Sequence, residues 1–275
     1  MPELCAILAG AGAFPRQVAD HARRAGVRVV ALGIEGWVEP GLASHVDVYE
    51  DIAIGQLGRL IERLKAHHAR QVVMAGKVTK GVLLDPRVRF DADAIQVLGR
   101  AGGTSVTAVL GAVAERLAQE GITLLDSSTF LRQDLCPSGV ATRRAPTEDE
   151  AASIRAGVEI ARQLAAVDVG QSVAVKGRVV VAVEALEGTD AMLTRAGQVA
   201  GPGCVLVKMA SPTQDRRFDL PVIGLSTLKV AAEAGVTCLA VEAGSTLLLD
   251  KEALLRAADA AGLAIVGLDP SAAPA

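Results

Sequence analysis

QDRRFDLPVIG, residues 214–224, sets Asp215, Arg216, Arg217 and Asp219 directly ahead of an apolar run. Two carboxylates among two guanidiniums suit a site that handles a metal and phosphate. Hard oxygens hold Mg²⁺, and cations neutralise the charge that develops as a P–O bond breaks. Asp219 follows Phe218 and leads into the apolar run, so it reads as a strand-edge residue, partly desolvated, where an unpaired carboxylate is costly. A second stretch, VEALEGTDAM at 183–192, offers similar groups. There a strand delivers Glu184 and Glu187, Gly188 permits the turn, and Thr189 or Asp190 can cap a helix beginning at Ala191. Lys208 and Arg195 lie in the same half of the chain. The plainer reading of both stretches is solvated charge beside a capped helix.

A third candidate is AGAGAFP at 9–15, which follows the first apolar run and opens a helix, with Glu35 closing the next run about 20 residues on. The pattern is close to a dinucleotide fingerprint, but Pro15 replaces the third glycine and suits a first helical turn better than close helix–strand packing. Gly10 and Gly12 permit close backbone approach, and the helix N–H groups favour an anion. Dinucleotide binding, another phosphate contact and a plain tight turn all remain open on the residues alone.

Other chemistries find no support. His67 and His68 adjoin on a helix and point to different faces, while His21 and His45 stand alone. There is no H-E-x-x-H, no G-x-S-x-G and no Walker loop. Cys5, Cys136, Cys204 and Cys238 form no C-x-x-C pair, which suits a reducing compartment and buried small hydrophobes. With 31 acidic and 28 basic residues the net charge is −3, and the aromatics are one Trp, one Tyr and four Phe. Neither feature fits nucleic acid as a partner. MPELCAILAGAG has no basic lead-in, and no apolar run approaches the ~20 residues of a spanning helix, so a cytoplasmic protein is expected, open to peripheral membrane contact.

The elements that must position these groups read as α/β. Short apolar runs alternate with amphipathic stretches: LCAILAG, a helix from Pro15 to about Ala25, VRVVALG, a helix through GQLGRLIERLKAHHA, then QVVMAG. Leu57, Leu60, Ile61 and Leu64 make one apolar helical stripe. A helix through Val106 to Leu117 precedes the strand ITLLD. The expected organisation is two α/β domains: residues 1–130, Rossmann-like with a parallel sheet; a linker at 131–146, where periodicity breaks; and 147–275, a catalytic domain opened by the capping box Thr147-x-x-Glu150. In the latter, SVAVKGRVVVAVEA reads as a hairpin about Lys176-Gly177. Strands follow near CVLVKM, TCLAV, TLLL and AIVGL, with helices at about 226–234 and after Asp250, and a frayed tail.

The strings DVGQSVAVKGRVVVAVEALEGTDAMLTR, VLVKM, QDRRFDLPVIG and VEAGSTLLL resemble the LpxI-type UDP-2,3-diacylglucosamine pyrophosphatases, with weaker support from ILAGAGAFP, IGQLGRLIERL and VVMAGKV. The resemblance implies two α/β domains with the site at their junction. It implies Mg²⁺-dependent hydrolysis of UDP-2,3-diacylglucosamine to lipid X and UMP in lipid A synthesis, with Mn²⁺ as a stand-in. In the Q-D-x-R-x-D-L-P motif it implies that Asp219 is catalytic, with Asp215 and Asp190 completing an acidic cluster and Asp219 and Asp215 holding the metal. Substrate contacts are implied for Gly10, Gly12, Lys77, Gly188, Thr189, Lys208, Gln214 and Arg216. A lipid-linked UDP-sugar as substrate, a homodimer and a place at the inner face of the inner membrane go with it. At 102–110 the chain has GGTSVTAVL where the family carries Gly-Asp-Asp and paired leucines, which bears on acyl-chain or sugar preference. Two rival readings are a nicotinamide-dependent oxidoreductase using AGAGAFP and Glu35, and a lipid- or nucleotide-binding relative without catalysis.

Overall fold

The computed structural model describes residues 3–78, 86–101, 106–211 and 214–270. The chain forms two compact α/β units: Met1–Leu131 together with Asp215–Asp219, and Arg132–Gln214 together with Leu220–Ala275. The short segment 215–219 thus belongs to the first unit, although the chain on both sides of it belongs to the second.

In the first unit the elements run β1 (Leu4–Ala9), α1 (Phe14–Arg24), β2 (Arg28–Ile34), β3 (Val48–Ile52), α2 (Leu57–Ala66), β4 (Gln71–Ala75), α3 (Ala92–Arg100), α4 (Val106–Gln119) and β5 (Thr123–Leu124). The five strands pair in the order β3-β2-β1-β4-β5, all parallel. This is the expected Rossmann-like sheet. β2 is buried at every position after Arg28, as befits a parallel strand covered on both faces. Leu57, Leu60, Ile61 and Leu64 bury the α2 stripe with Val30, Leu32, Val72 and Leu117 in one core. From β1 the chain first extends the sheet one way, through β2 and β3, then returns to the other side of β1 as β4. Ligands of such sheets bind beyond the strand carboxyl ends at this reversal. Two elements carry no strong sequence signal. β3 is a partly exposed edge strand bearing Glu50 and Asp51, and α3 is a short helix whose N-cap, Asp91, accepts from Ala94 N at 2.9 Å.

The second unit contains β6 (Gly139–Val140), α5 (Glu148–Ala166), β7 (Ser172–Lys176), β8 (Val179–Val183), α6 (Thr189–Ala200), β9 (Cys204–Lys208), β10 (Val222–Ile223), α7 (Leu225–Glu233), β11 (Val236–Glu242), β12 (Leu247–Leu248), α8 (Lys251–Ala260) and β13 (Ala264–Leu268). Its main sheet has the order β6-β13-β11-β9-β7-β8, parallel from β13 to β9 and antiparallel at β6, β7 and β8; β10 and β12 pair separately. Strand alternation splits the core. Val173, Val175, Val205 and Val207 face Ile154 and Ala161 of α5, while Ala174 and Leu206 face Met192, Leu193 and Leu228 of α6 and α7. Gly157 lets α5 close on the sheet, since a Cβ there would lie 2.8 Å from Val175 Cγ2. The β7–β8 hairpin turns through Gly177 and Arg178, both at positive φ (56° and 67°), as a two-residue turn matched to strand twist requires.

Residues 131–146, expected as a connection, contribute β6 to the edge of this sheet, and Arg144 is anchored there. Its guanidinium donates to both oxygens of Glu150, at 2.7 and 3.0 Å, and to the Thr237 carbonyl. Glu150 also closes the capping box, accepting from Thr147 N at 2.7 Å while its own N–H reaches Thr147 Oγ1 at 3.2 Å. Burial pushes the Glu150 carboxyl up, but Arg144 and the Thr147 N–H more than offset it, leaving a pKa of about 2. The four cysteines are buried thiols, with Cys5 and Cys238 pushed up to about 12 by burial.

Because the folded pKa of Glu150 is depressed, its stabilisation is present above the unfolded value of about 4.3 and is lost as pH falls toward 2. Glu150→Gln should cost on the order of 2 kcal/mol at pH 7 in urea unfolding and flatten stability between those limits. An unaltered acid limb would show that the pair contributes nothing.

Candidate active site

The first cluster lies at the carboxyl ends of β1, β4 and β5. After β1 the chain makes Gly10 N to Ala75 O (2.8 Å), and Ala11 and Lys77 exchange backbone hydrogen bonds at 2.9 Å in both directions. A Cβ on Gly10 would sit 2.8 Å from Lys77 O and 3.0 Å from Gly76 C, so the glycine is needed for this loop-to-loop approach. Gly12 has φ +90° and nothing within 4 Å of where a Cβ would stand, leaving open space ahead of α1. The Lys77 side chain is exposed at the same edge. Beyond β5 come Asp126, Ser127 and Ser128. Ser128 donates its hydroxyl to Asp126 Oδ1 at 2.6 Å.

Onto this edge the chain lays 215–219. Ser127 N donates to Arg216 O (2.9 Å), and the Ser127 hydroxyl, buried, lies 2.8 Å from Met74 O and 2.9 Å from Arg217 O. Arg216 donates to Asp126 Oδ2 at 2.9 Å and to Ser128 Oγ at 3.2 Å. Phe218 packs against the core of the first unit. Arg217 grips Asp215, with Nε at 2.9 and 3.0 Å from its two oxygens, and this pairing lowers the Asp215 pKa. Asp219 is not a strand-edge residue as expected. It sits in a turn, its N–H on Asp215 O at 3.0 Å, three residues ahead of β10, because the segment bends back on itself to reach Ser127.

The second cluster is in the second unit, where β7 starts and β9 ends. Their antiparallel register sets Ser172 opposite Lys208. Lys208, 6% exposed, donates to Ser172 Oγ at 3.2 Å and Thr189 Oγ1 at 3.1 Å and lies 3.7 Å from Glu184 Oε2. Thr189 donates to Glu184 Oε1 at 2.8 Å. Burial pushes the Glu184 carboxyl up, yet the Lys208 charge, the two hydroxyls and Gln171 N–H together hold it below its ordinary value. Gly188, at φ 84°, is the N-cap of α6, and no side chain caps it. The expected capping by Thr189 or Asp190 is therefore replaced: Thr189 turns inward to Lys208, and Asp190 accepts from Thr227 Oγ1 at 2.8 Å on α7. Glu187 pairs with Arg195 at 2.7 Å.

Of the residues singled out from sequence, Gly10, Gly12, Lys77, Asp215, Arg216 and Asp219 fall in the first unit, and Gly188, Thr189, Asp190, Lys208 and Gln214 in the second. The acidic cluster read from sequence is thus divided, and among the described residues no group of three or more His, Cys, Asp or Glu side chains is gathered for a metal. Residues 102–105, which open GGTSVTAVL, lie outside the described residues, as do 271–275 of the tail expected to fray. Three histidines serve packing: His45 bonds Asp20 and His67 bonds Glu50, both at 2.7 Å, and His21 lies 3.2 Å from the Phe130 carbonyl. Asp126, Ser127, Ser128 and Ser172 were not foreseen. An acid with two hydroxyls at the carboxyl end of ITLLD was a usable signal, whereas Ser172 meets Lys208 only through strand register.

A parallel unit with a glycine loop at its strand reversal and a mixed unit with a buried lysine beside a helix start define a two-unit α/β protein. Comparison gives the family. The LpxI N-terminal domain matches residues 5–133 and the LpxI C-terminal domain residues 137–266. The curated relative "UDP-2,3-diacylglucosamine pyrophosphatase LpxI" of Caulobacter vibrioides is 31% identical over 280 residues, 98% of each chain. The chain belongs to the LpxI family. Among solved structures, CobK precorrin-6A reductase covers 100% of this chain and 91% of its own at 14% identity, but a TM-score of 0.28 carries no argument.

The Lys208–Glu184 pair is buried, so removing either partner strands the other's charge. Glu184→Gln and Lys208→Met should each cost about 3–5 kcal/mol, and the double variant should recover part of the loss. Additive losses in urea unfolding would mean that the two charges do not interact.

Proposed function

We propose that this chain hydrolyses the pyrophosphate bond of UDP-2,3-diacylglucosamine, giving lipid X and UMP, as a step of lipid A biosynthesis. The observation that carries the reading is the placement of residues 215–219: in a chain that matches its named relative over 98% of its length, this segment is folded onto the strand ends where α/β sheets bind ligands. Asp219 accepts a proton from water as the water oxygen attacks one phosphorus. The bond from that phosphorus to the bridging oxygen breaks, and the two phosphate monoesters leave. Arg216, oriented by Asp126 and Ser128 within the first unit, and Lys208, oriented by Ser172 and Thr189 within the second, are the cations that stabilise phosphate charge. The Gly10–Gly12 loop, Lys77, Gln214 and the Gly188–Thr189 turn bind substrate, and Asp190 steadies the start of α6. Asp219 and Asp215 would hold Mg²⁺, or Mn²⁺ in its place, and such an ion would add positive charge against the phosphate oxygens.

No described helix is long and apolar enough to cross a membrane. The reading places the protein in the cytoplasm as a homodimer working at the inner face of the inner membrane, since each acyl methylene needs apolar cover worth about 0.8 kcal/mol.

³¹P NMR of the purified protein with UDP-2,3-diacylglucosamine should show both monoester products, lost in excess EDTA and restored by Mg²⁺ or Mn²⁺. Asp219→Ala should lower kcat by roughly 10²–10⁴-fold with Tm nearly unchanged. An Asp219→Ala protein that melts early but keeps its turnover would confine the residue to a structural role, and absence of product from the wild type at any metal concentration would end the proposal.

A further inference from the structure

We infer that the side-chain amide of Gln17 donates a hydrogen bond to a phosphate oxygen of the substrate at the start of α1. Gln17 is 6% exposed, and its Nε2 has no hydrogen-bond partner. Buried donors are almost always paired, so an orphan calls for a missing acceptor. Among the described residues the other buried side-chain atoms without a partner are Gln56 Oε1, an acceptor, and the Thr246 hydroxyl, which can accept as well as donate; Gln17 Nε2 can only donate, and it belongs to the first turns of α1. α1 has no acidic residue in its first turn, its N-cap Ala13 contributes no side-chain bond, and nothing lies within 4 Å of where a Cβ on Gly12 would stand, so no side chain caps the N–H groups of Phe14 and Arg16 and the positive end of the helix suits an anion.

Direction follows from helix geometry. Gln17 stands one turn before His21, whose ring nitrogen lies 3.2 Å from Phe130 O, so both residues share the face turned toward 126–130. Long side chains lean toward their helix N-terminus. The amide therefore leans toward the strand-end edge that holds Asp126, Ser128 and Arg216. A phosphate oxygen there meets the amide, the helix N-terminus and the Arg216 side together, a combination that suits an anion better than a sugar hydroxyl or a base edge.

The inference rests on the pyrophosphatase reading, and the test separates the two. Gln17→Met keeps the shape and removes the donor. It should lower kcat/KM for UDP-2,3-diacylglucosamine by roughly 10- to 100-fold, and UMP affinity by calorimetry about tenfold, with Tm equal or higher because an orphan donor is gone. Gln17→Glu, with acceptors in place of the donor, should lose at least as much. In the ¹⁵N-labelled wild type, the Gln17 side-chain amide signals should shift and gain exchange protection on saturation with UMP or inorganic pyrophosphate. Wild-type kcat/KM and UMP affinity in a folded Gln17→Met protein, or unmoved amide signals at saturation, would overturn the assignment. A wild type without hydrolysis would sink the pyrophosphatase reading instead.

Discussion

The N–H and hydroxyl of Ser127 hold the 215–219 segment in place. Its N–H takes Arg216 O, and its hydroxyl lies between Met74 O at the end of β4 and Arg217 O. The segment 215–219, within the connection between β9 and β10, would otherwise be free to fold with its sequence neighbours. These bonds, with Phe218 packed partly buried against the core, tie it to the parallel unit. Buried backbone carbonyls need partners, so satisfying Arg216 and Arg217 at one serine fixes both guanidiniums and the turn carrying Asp219. Everything proposed for phosphate chemistry in the first unit depends on that placement.

Both clusters share an electrostatic plan, in which each cation is held by a carboxylate and hydroxyls before any ligand arrives. Arg216 has Asp126 and Ser128; Lys208 has Glu184, Ser172 and Thr189. In a buried site such partners hold a charge that would be costly alone, and they pre-orient its donors.

Much of this was legible beforehand. The α2 stripe, the parallel order of apolar runs, the capping box at Thr147 and the Lys176-Gly177 hairpin all follow from local periodicity or turn chemistry, which a single sequence carries. QDRRFD and EGTDAM were visible as chemistry for the same reason: their charge density is out of keeping with the apolar runs beside them. Hidden were the features set by long-range pairing. β3 was not picked out from sequence because an edge strand tolerates Glu50 and Asp51. Ser172 gains meaning only opposite Lys208, and Asp219 left its expected strand because Ser127, about ninety residues earlier, claims the carbonyls beside it. Local patterns carry no record of such partners.

The central claim is that anchoring of 215–219 on the β4–β5 edge creates the catalytic geometry. Ser127→Ala removes the anchoring hydroxyl and touches no proposed substrate contact. Steady-state kinetics of this variant with UDP-2,3-diacylglucosamine should show kcat lowered by at least about tenfold, with KM little changed and the protein folded. Wild-type kcat in folded Ser127→Ala would contradict the account, because the segment would then reach its working geometry without the bonds that hold it here.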